Sequence, residues 1–221
     1  MAIITPALLT ALMTGFRSDF QRVFTATPTD WEKLATLVPS SSKSNTYGWL
    51  GQFPELREWV GDRVLKDMAA HGYSILNKLY ESTVGVKRTD IEDDDIGTYK
   101  PLVSEMGRAA KVHPDRQVFA LLKAALSTPC YDGQYFFDTD HPVYPNVDGT
   151  GEPTSVSNYQ AGTGAPWFLL DCSRELKPLI FQERTKPELT SLTESKDEAV
   201  FMSDTFRFGV RYRCNVGLGF W

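Results

Sequence analysis

The sequence predicts an α+β fold on three observations: an apolar stripe at helical spacing near the start, a longer helical stretch in the middle, and strand-like runs through the last third. Thr5-Pro6 makes a helix start, a capping side chain followed by proline at the first helical position. Leu8, Leu12, Phe16 and Phe20 then recur every four residues, and Leu9, Met13, Val23 and Phe24 widen the stripe. Residues 30–38, with Trp31, Leu34 and Ala35, read as a shorter helical piece that ends at the serine-rich run 40–45. Residues 47–88 alternate instead. Trp59, Gly61, Arg63 and Leu65 suggest one strand, His71-Gly72 a turn, and Tyr73, Ile75, Val84 and Val86 a returning strand. Glu55, Arg57, Glu58, Asp62, Arg63, Lys66 and Asp67 make this region dense in both signs of charge. A two-stranded arm with so little apolar content is marginal alone in water and is better suited to lying across another subunit.

The acidic run Asp90-Ile91-Glu92-Asp93-Asp94-Asp95 precedes a helical stretch over residues 99–126, where negative charge would favour a helix N-terminus. Leu102, Val103, Met106, Ala109 and Ala110 form its stripe, continued by Val118, Leu121, Leu122 and Ala125. Pro114 is expected to kink or divide it. Residues 127–166, rich in Gly, Pro, Asp and Thr, read as a long irregular region. Strand-like runs follow at 167–170, 179–182, 199–202 and 206–212.

Composition narrows the function classes. Among 221 residues, 42% are hydrophobic and 23% charged, which is the balance of a folded protein. With 23 Lys and Arg against 28 Asp and Glu, the net charge is −5, and no segment is strongly basic. A dedicated nucleic-acid binder, which needs clustered cations, is therefore disfavoured. Cys130, Cys172 and Cys214 lie far apart and form no C-x-x-C pair, so they read as free thiols. No run is long enough to span a bilayer.

Catalytic chemistry has few places to reside. Asp138, Asp140 and His141 could in principle bind a divalent metal and support a metal-dependent hydrolase. Their spacing matches no ligand pattern, and read as a calcium loop from Asp138 the segment fails at Pro142 and Val143. Turn chemistry is the preferred reading. The acidic run at 92–95 is likewise read as a solvated helix start. Neither a G-x-S-x-G elbow nor a glycine-rich phosphate loop is present. Tyr47, Trp49 and Trp59 beside Arg57 and Arg63 could stack nucleic-acid bases, but their acidic neighbours favour a protein interface. No catalytic, cofactor-binding or metal-ligating residue is assigned, and the chain is not expected to be an enzyme.

The segment Ser44-Asn45-Thr46-Tyr47-Gly48-Trp49-Leu50-Gly51, with Pro54, Glu58-Trp59-Val60-Gly61 and Arg63, resembles the signature of the Mu-like phage major head subunit family. The likeness continues through His71-Gly72-Tyr73-Ser74-Ile75, Pro129-Cys130-Tyr131-Asp132-Gly133-Gln134 and the run from His141 to Gly151. It then runs through Leu169-Leu170-Asp171-Cys172-Ser173-Arg174 and Ile180-Phe181-Gln182-Glu183-Arg184 to Gly219-Phe220-Trp221, nearly end to end and in order.

The resemblance implies a Hong Kong 97-type phage capsid fold. Residues 1–46 would be an N-terminal arm and 47–78 an extended loop (a β-hairpin). Residues 79–126 would supply a peripheral-domain strand and the long spine helix. Residues 127–221 would supply the axial domain and returning peripheral strands, incomplete at the C-terminus because family members run on beyond this Gly-Phe-Trp. It implies self-assembly into the pentamers and hexamers of an icosahedral head enclosing double-stranded DNA, assembled in the host cytoplasm and residing in the virion. Implied partners are copies of the chain, a scaffold protein, a maturation protease, the portal and DNA by non-specific proximity, with no membrane. Trp49, Arg57, Trp59 and Arg63 would act between subunits. An encapsulin-like compartment shell is the alternative within the same fold.

Overall fold

A computed structural model describes residues 4–50, 72–93, 95–146, 150–194 and 196–221. The chain opens with α1 (Pro6–Ala26), in which the Thr5 hydroxyl accepts the Leu8 N–H at 3.2 Å and Pro6 occupies the first turn, as expected for this cap. The next helix, α2 (Trp31–Leu34), is one turn long, and the chain then extends as β1 (Ala35–Pro39). The helix expected over 30–38 is thus cut short. Parallel pairing of Ala35–Pro39 with Leu179–Glu183 outcompetes a weak helical stripe, in a run where Thr36 and Val38 are β-branched.

Short strands β2 (Ser44–Thr46) and β3 (Ser74–Leu76) follow, then the ten-residue β4 (Lys78–Lys87), the short helix α3 (Arg88–Glu92) and a 3-10 turn at Ile96–Thr98. The long helix α4 (Lys100–Ala124) contains Pro114 without being divided by it. Its first turn carries no acidic residue, so the acidic run does not cap it. Asp90 instead sits in the first turn of α3, where its carboxylate accepts the Tyr99 hydroxyl.

The irregular region is interrupted by a small hairpin of β5 (His141–Val143) and β6 (Thr154–Val156). The run at 167–170 forms no strand, and Trp167 and Leu169 stand 80% and 85% exposed. Strands β7 (Leu179–Leu192) and β8 (Thr205–Leu218) are both longer than their apolar runs suggest. Between them 199–202, expected as strand, lies in the helix α5 (Glu198–Ser203). An apolar run of four carries no period that separates the two states. Here Asp204 ends the helix in the left-handed region (φ 49°). Its carboxylate accepts the Arg88 guanidinium at 2.6 Å, and its carbonyl accepts the Arg88 N–H at 3.0 Å.

The strand order of the main sheet is β1-β7-β8-β4, with β4 and β8 antiparallel. The chain divides into two compact units, and α4, β7 and β8 each run from one into the other. The first comprises Met1–Asp30, Lys78–Arg116 and Arg184–Cys214. Its core joins Phe16 and Phe20 of α1 to Val103 and Met106 of α4 and to Phe206, Phe208 and Val210 of β8. Phe16 meets Phe208 edge-to-face at 5.0 Å, so the stripe read from sequence is the buried face. The second comprises Trp31–Asn77, Gln117–Glu183 and Asn215–Trp221. There Trp31 packs on Phe181 at 4.6 Å between ring centroids.

Within the first unit α1 and α4 meet at Gly107, where a Cβ would stand 2.5 Å from the Phe20 carbonyl oxygen. That oxygen is backbone and cannot swing aside. Gly107→Ala is therefore expected to destabilise the protein by about 1–3 kcal/mol, the usual cost of overpacking, although alanine favours helix intrinsically. Urea unfolding followed by circular dichroism measures it; an unchanged midpoint would contradict this packing.

Candidate functional site

Strands β2 and β3 pair antiparallel, Ser44 opposite Leu76 and Thr46 opposite Ser74, and the Tyr47 N–H extends the ladder to the Tyr73 carbonyl at 2.8 Å. This two-stranded root brackets residues 51–71, which lie outside the described residues. The side chains beneath it belong to one polar network. Gln182 of β7 is fully buried. Its Oε1 accepts the Tyr47 hydroxyl at 2.7 Å, and its Nε2 donates to the Ile75 carbonyl at 3.0 Å and to Asn77 Oδ1 at 2.8 Å. Asn77 Nδ2 passes the chain on to Ser40 Oγ at 2.8 Å and the Ser42 carbonyl at 2.9 Å. Ser40 Oγ in turn donates to Asn45 Oδ1 at 2.8 Å.

Alternation along β7 explains the placement. Ile180 and Gln182 share a face, and Ile180 packs with Tyr47, Leu50 and Ile75, while Phe181 points the other way to Trp31. Val38, Trp49, Tyr73, Tyr131 and Phe220 flank this small core. The Tyr73 hydroxyl accepts the Leu218 N–H at 2.8 Å. A Cβ on Gly217 would run into the Ile75 side chain, which would have to shift to admit any larger residue there. Burial pushes the Tyr47 hydroxyl up to about 12 and raises Tyr73 as well, which keeps both neutral.

Of the interface residues expected from sequence, Trp49 lies half-buried at the root, its ring 5.8 Å from both Tyr47 and Phe220. Arg57, Trp59 and Arg63 fall outside the described residues. Sequence reading missed Gln182 and Asn77. The signal was present in Leu179-Ile180-Phe181-Gln182, an uncharged amide closing an apolar run.

The metal set considered from sequence is not assembled. Asp138 spends its carboxylate on the Thr139 N–H at 2.8 Å and the Tyr135 N–H at 3.2 Å, closing a turn. His141 turns to Asp132 instead, Nδ1 to Oδ2 at 2.7 Å, with its ring stacked on Trp221 at 3.9 Å. Cys130 Sγ donates to the other Asp132 oxygen at 2.9 Å. Among the described residues, Cys130, Asp132 and His141 are the metal-capable side chains that converge. Burial pushes the Cys130 thiol up to about 12, and its hydrogen bond to Asp132 adds to that. For Asp132, burial acts upward, but the donors from Cys130, His141 and the Gln134 N–H outweigh it and hold the carboxyl below its ordinary value.

Comparison with known proteins bears on the whole chain. The family model of the Mu-like prophage major head subunit gpT matches residues 9–221. The chain is 55% identical over 222 residues to the major capsid protein of Escherichia phage Mu, covering 99% of this chain and 73% of that one. It is 52% identical over 226 residues to the Mu-like prophage FluMu major head subunit of Haemophilus influenzae, covering 100% and 73%. Among solved structures it superposes on the procapsid subunit of bacteriophage JBD30 with a TM-score of 0.85 at 65% identity, covering 99% of this chain and 74% of that one. On the JBD30 capsid the TM-score is 0.62 at 51% identity, covering 99% and 71%.

Tyr47→Phe tests the root. Removing the hydroxyl leaves Gln182 Oε1 unpaired in a buried site, so a loss of about 1–3 kcal/mol is expected in denaturant unfolding. The pH sign is defined. A tyrosine raised from 10 to about 12 favours the folded state below pH 10, and that contribution is lost as pH climbs through about 12. An ultraviolet tyrosinate titration should therefore show one fewer late-ionising group in the variant; an identical titration would refute the assignment.

Proposed function

The chain belongs to the Mu-like prophage major head subunit family, major capsid proteins of the Hong Kong 97-type fold that form the virion shell, and from that premise we propose how copies of it are joined. Residues 47–78 act as an extended loop laid over a neighbouring copy, with Trp49, Arg57, Trp59 and Arg63 making the contact. The observation that supports this most is the network around Gln182, which ties both ends of the segment to β7. A rigid root lowers the conformational entropy that the segment loses when it meets its neighbour.

On this reading residues 1–46 form an N-terminal arm, 79–126 the peripheral strand and spine helix, and 127–221 the axial domain with returning peripheral strands. Copies group as pentamers and hexamers of an icosahedral head. A scaffold protein, a maturation protease and the portal act on or join the shell, and the packaged double-stranded DNA is held by confinement. A net charge of −5 suits a wall that contains DNA without adhering to it. The relative from JBD30 has both a procapsid and a capsid form, and we read this chain as passing through two such states. The work is assembly, without catalysis.

Replacing residues 51–71 by a short Gly-Ser linker should leave a folded subunit, since the root and its network are retained, but abolish closed shells. Electron microscopy with the scaffold co-expressed reads this directly. Shells of normal yield from the linker variant would overturn the proposal. Arg57→Glu with Arg63→Glu should lower shell yield more steeply as salt falls, because like-charge repulsion is screened least there.

A further inference from the structure

We propose that Cys130, Asp132 and His141 form a binding site for a single divalent cation of the zinc class, which staples the irregular segment around residues 129–143. Two stretches of chain bring the three together. Cys130 and Asp132 sit in one tight turn, where the Cys130 N–H donates to the Gln134 carbonyl at 2.7 Å and Asp132 Oδ1 accepts the Gln134 N–H at 3.0 Å. Gly133 supplies the positive φ of 89° that the turn requires. His141 enters as the first residue of β5.

One sulfur, one carboxylate oxygen and one imidazole nitrogen lie within 4.8 Å of one another. Cys130 is 6% exposed, the Asp132 side chain 7% and His141 0%. Tetrahedral zinc, with bonds of about 2.0–2.3 Å, spaces its ligand atoms about 3.4–3.6 Å apart. The contacts at 2.9 Å and 2.7 Å run to different Asp132 oxygens, so to admit the ion these pairs open by less than about 1 Å and one oxygen turns to face both Cys130 Sγ and His141 Nδ1.

Charge and proton count also close. Without metal, the thiol and the imidazole each direct a proton at one carboxylate, and the group carries one negative charge. When the cation enters, the Cys130 proton leaves to solvent and the His141 proton moves from Nδ1 to Nε2. Thiolate, carboxylate and a 2+ ion then sum to zero in a buried place, which is the condition under which charge is tolerated there. Nδ1, the nitrogen turned to Asp132, is the one that would meet the ion. The stacked Trp221 ring keeps the imidazole in plane.

The inference is independent of assembly. The test uses the whole chain, stripped with a chelator and dialysed against a small excess of zinc, with bound metal measured by elemental analysis. About one zinc per chain is expected, with a thermal midpoint raised by several degrees. Cys130→Ser keeps size and a hydrogen-bond donor but removes the thiolate, and is expected to lose stoichiometric zinc while its circular dichroism is unchanged. Cobalt in the wild type should give a thiolate-to-metal charge-transfer band that Cys130→Ser lacks. Failure of the wild type to retain zinc, or equal retention by Cys130→Ser, would overturn the site. Should that variant not fold, absence of the charge-transfer band from the wild type still overturns the site, since it excludes thiolate ligation, and a band that survives in Cys172→Ser supports it.

Discussion

The fully buried amide of Gln182 holds three hydrogen bonds at once, to Tyr47, to the backbone of Ile75 and to Asn77. A buried amide left without partners costs more than it returns, so each of these groups must stay where it is for the others to remain satisfied. An apolar residue at this position would leave the Tyr47 hydroxyl, the Ile75 carbonyl and Asn77 Oδ1 without that partner. Pairing of β1 with the start of β7 feeds the same point, since the Ser40 N–H donates to the Glu183 carbonyl at 2.8 Å and Ser40 Oγ receives Asn77. Strand register, loop ends and the small apolar core of Ile180, Ile75, Tyr47 and Leu50 are therefore fixed together.

Local rules account for what was legible in the sequence. The stripe from Leu8 to Phe20 and its Thr5-Pro6 start describe α1 because capping and periodicity are decided within a few residues. The same holds for α4, where the apolar period outlasts the one backbone hydrogen bond that Pro114 removes. Residues 35–39 and 199–202 went the other way. Their states are chosen by β-pairing in the first case and by a left-handed stop at Asp204 in the second, and neither is a property of the run itself. The amide closing the run Leu179-Ile180-Phe181-Gln182 marked Gln182 as unusual, but its partners were illegible for a related reason. Tyr47 and Gln182 are 135 residues apart, and no local pattern announces such a bond. The charged, apolar-poor segment around Arg57 and Trp59 was readable as something unsuited to a core, which is a statement about composition and needs no partner to be known.

A folded chain that leaves Trp167, Leu169, Phe201 and Met202 at least 74% exposed has not finished burying apolar surface within itself. For a monomer that is a liability. For a shell subunit it is material for contacts, which in a closed assembly can each be weak because many act together. The buried core and the exposed apolar side chains thus answer to different demands. Phe16, Phe208 and Gly107 serve the fold of the single chain, whereas the exposed set is left outside it.

The distribution of charge follows the same division. The root network is built from amides, hydroxyls and backbone groups, and burial keeps its tyrosines neutral well beyond physiological pH. Salt and moderate pH changes therefore have little purchase on it. Residues 51–71, by contrast, carry Glu55, Arg57, Glu58, Asp62, Arg63, Lys66 and Asp67. If these groups meet a neighbouring copy, ionic strength tunes the strength of association through them. The root of each subunit, resting on uncharged bonds, is left alone. A root made of salt bridges would have coupled the two, since the same ionic strength would act on both. Gln182 separates them.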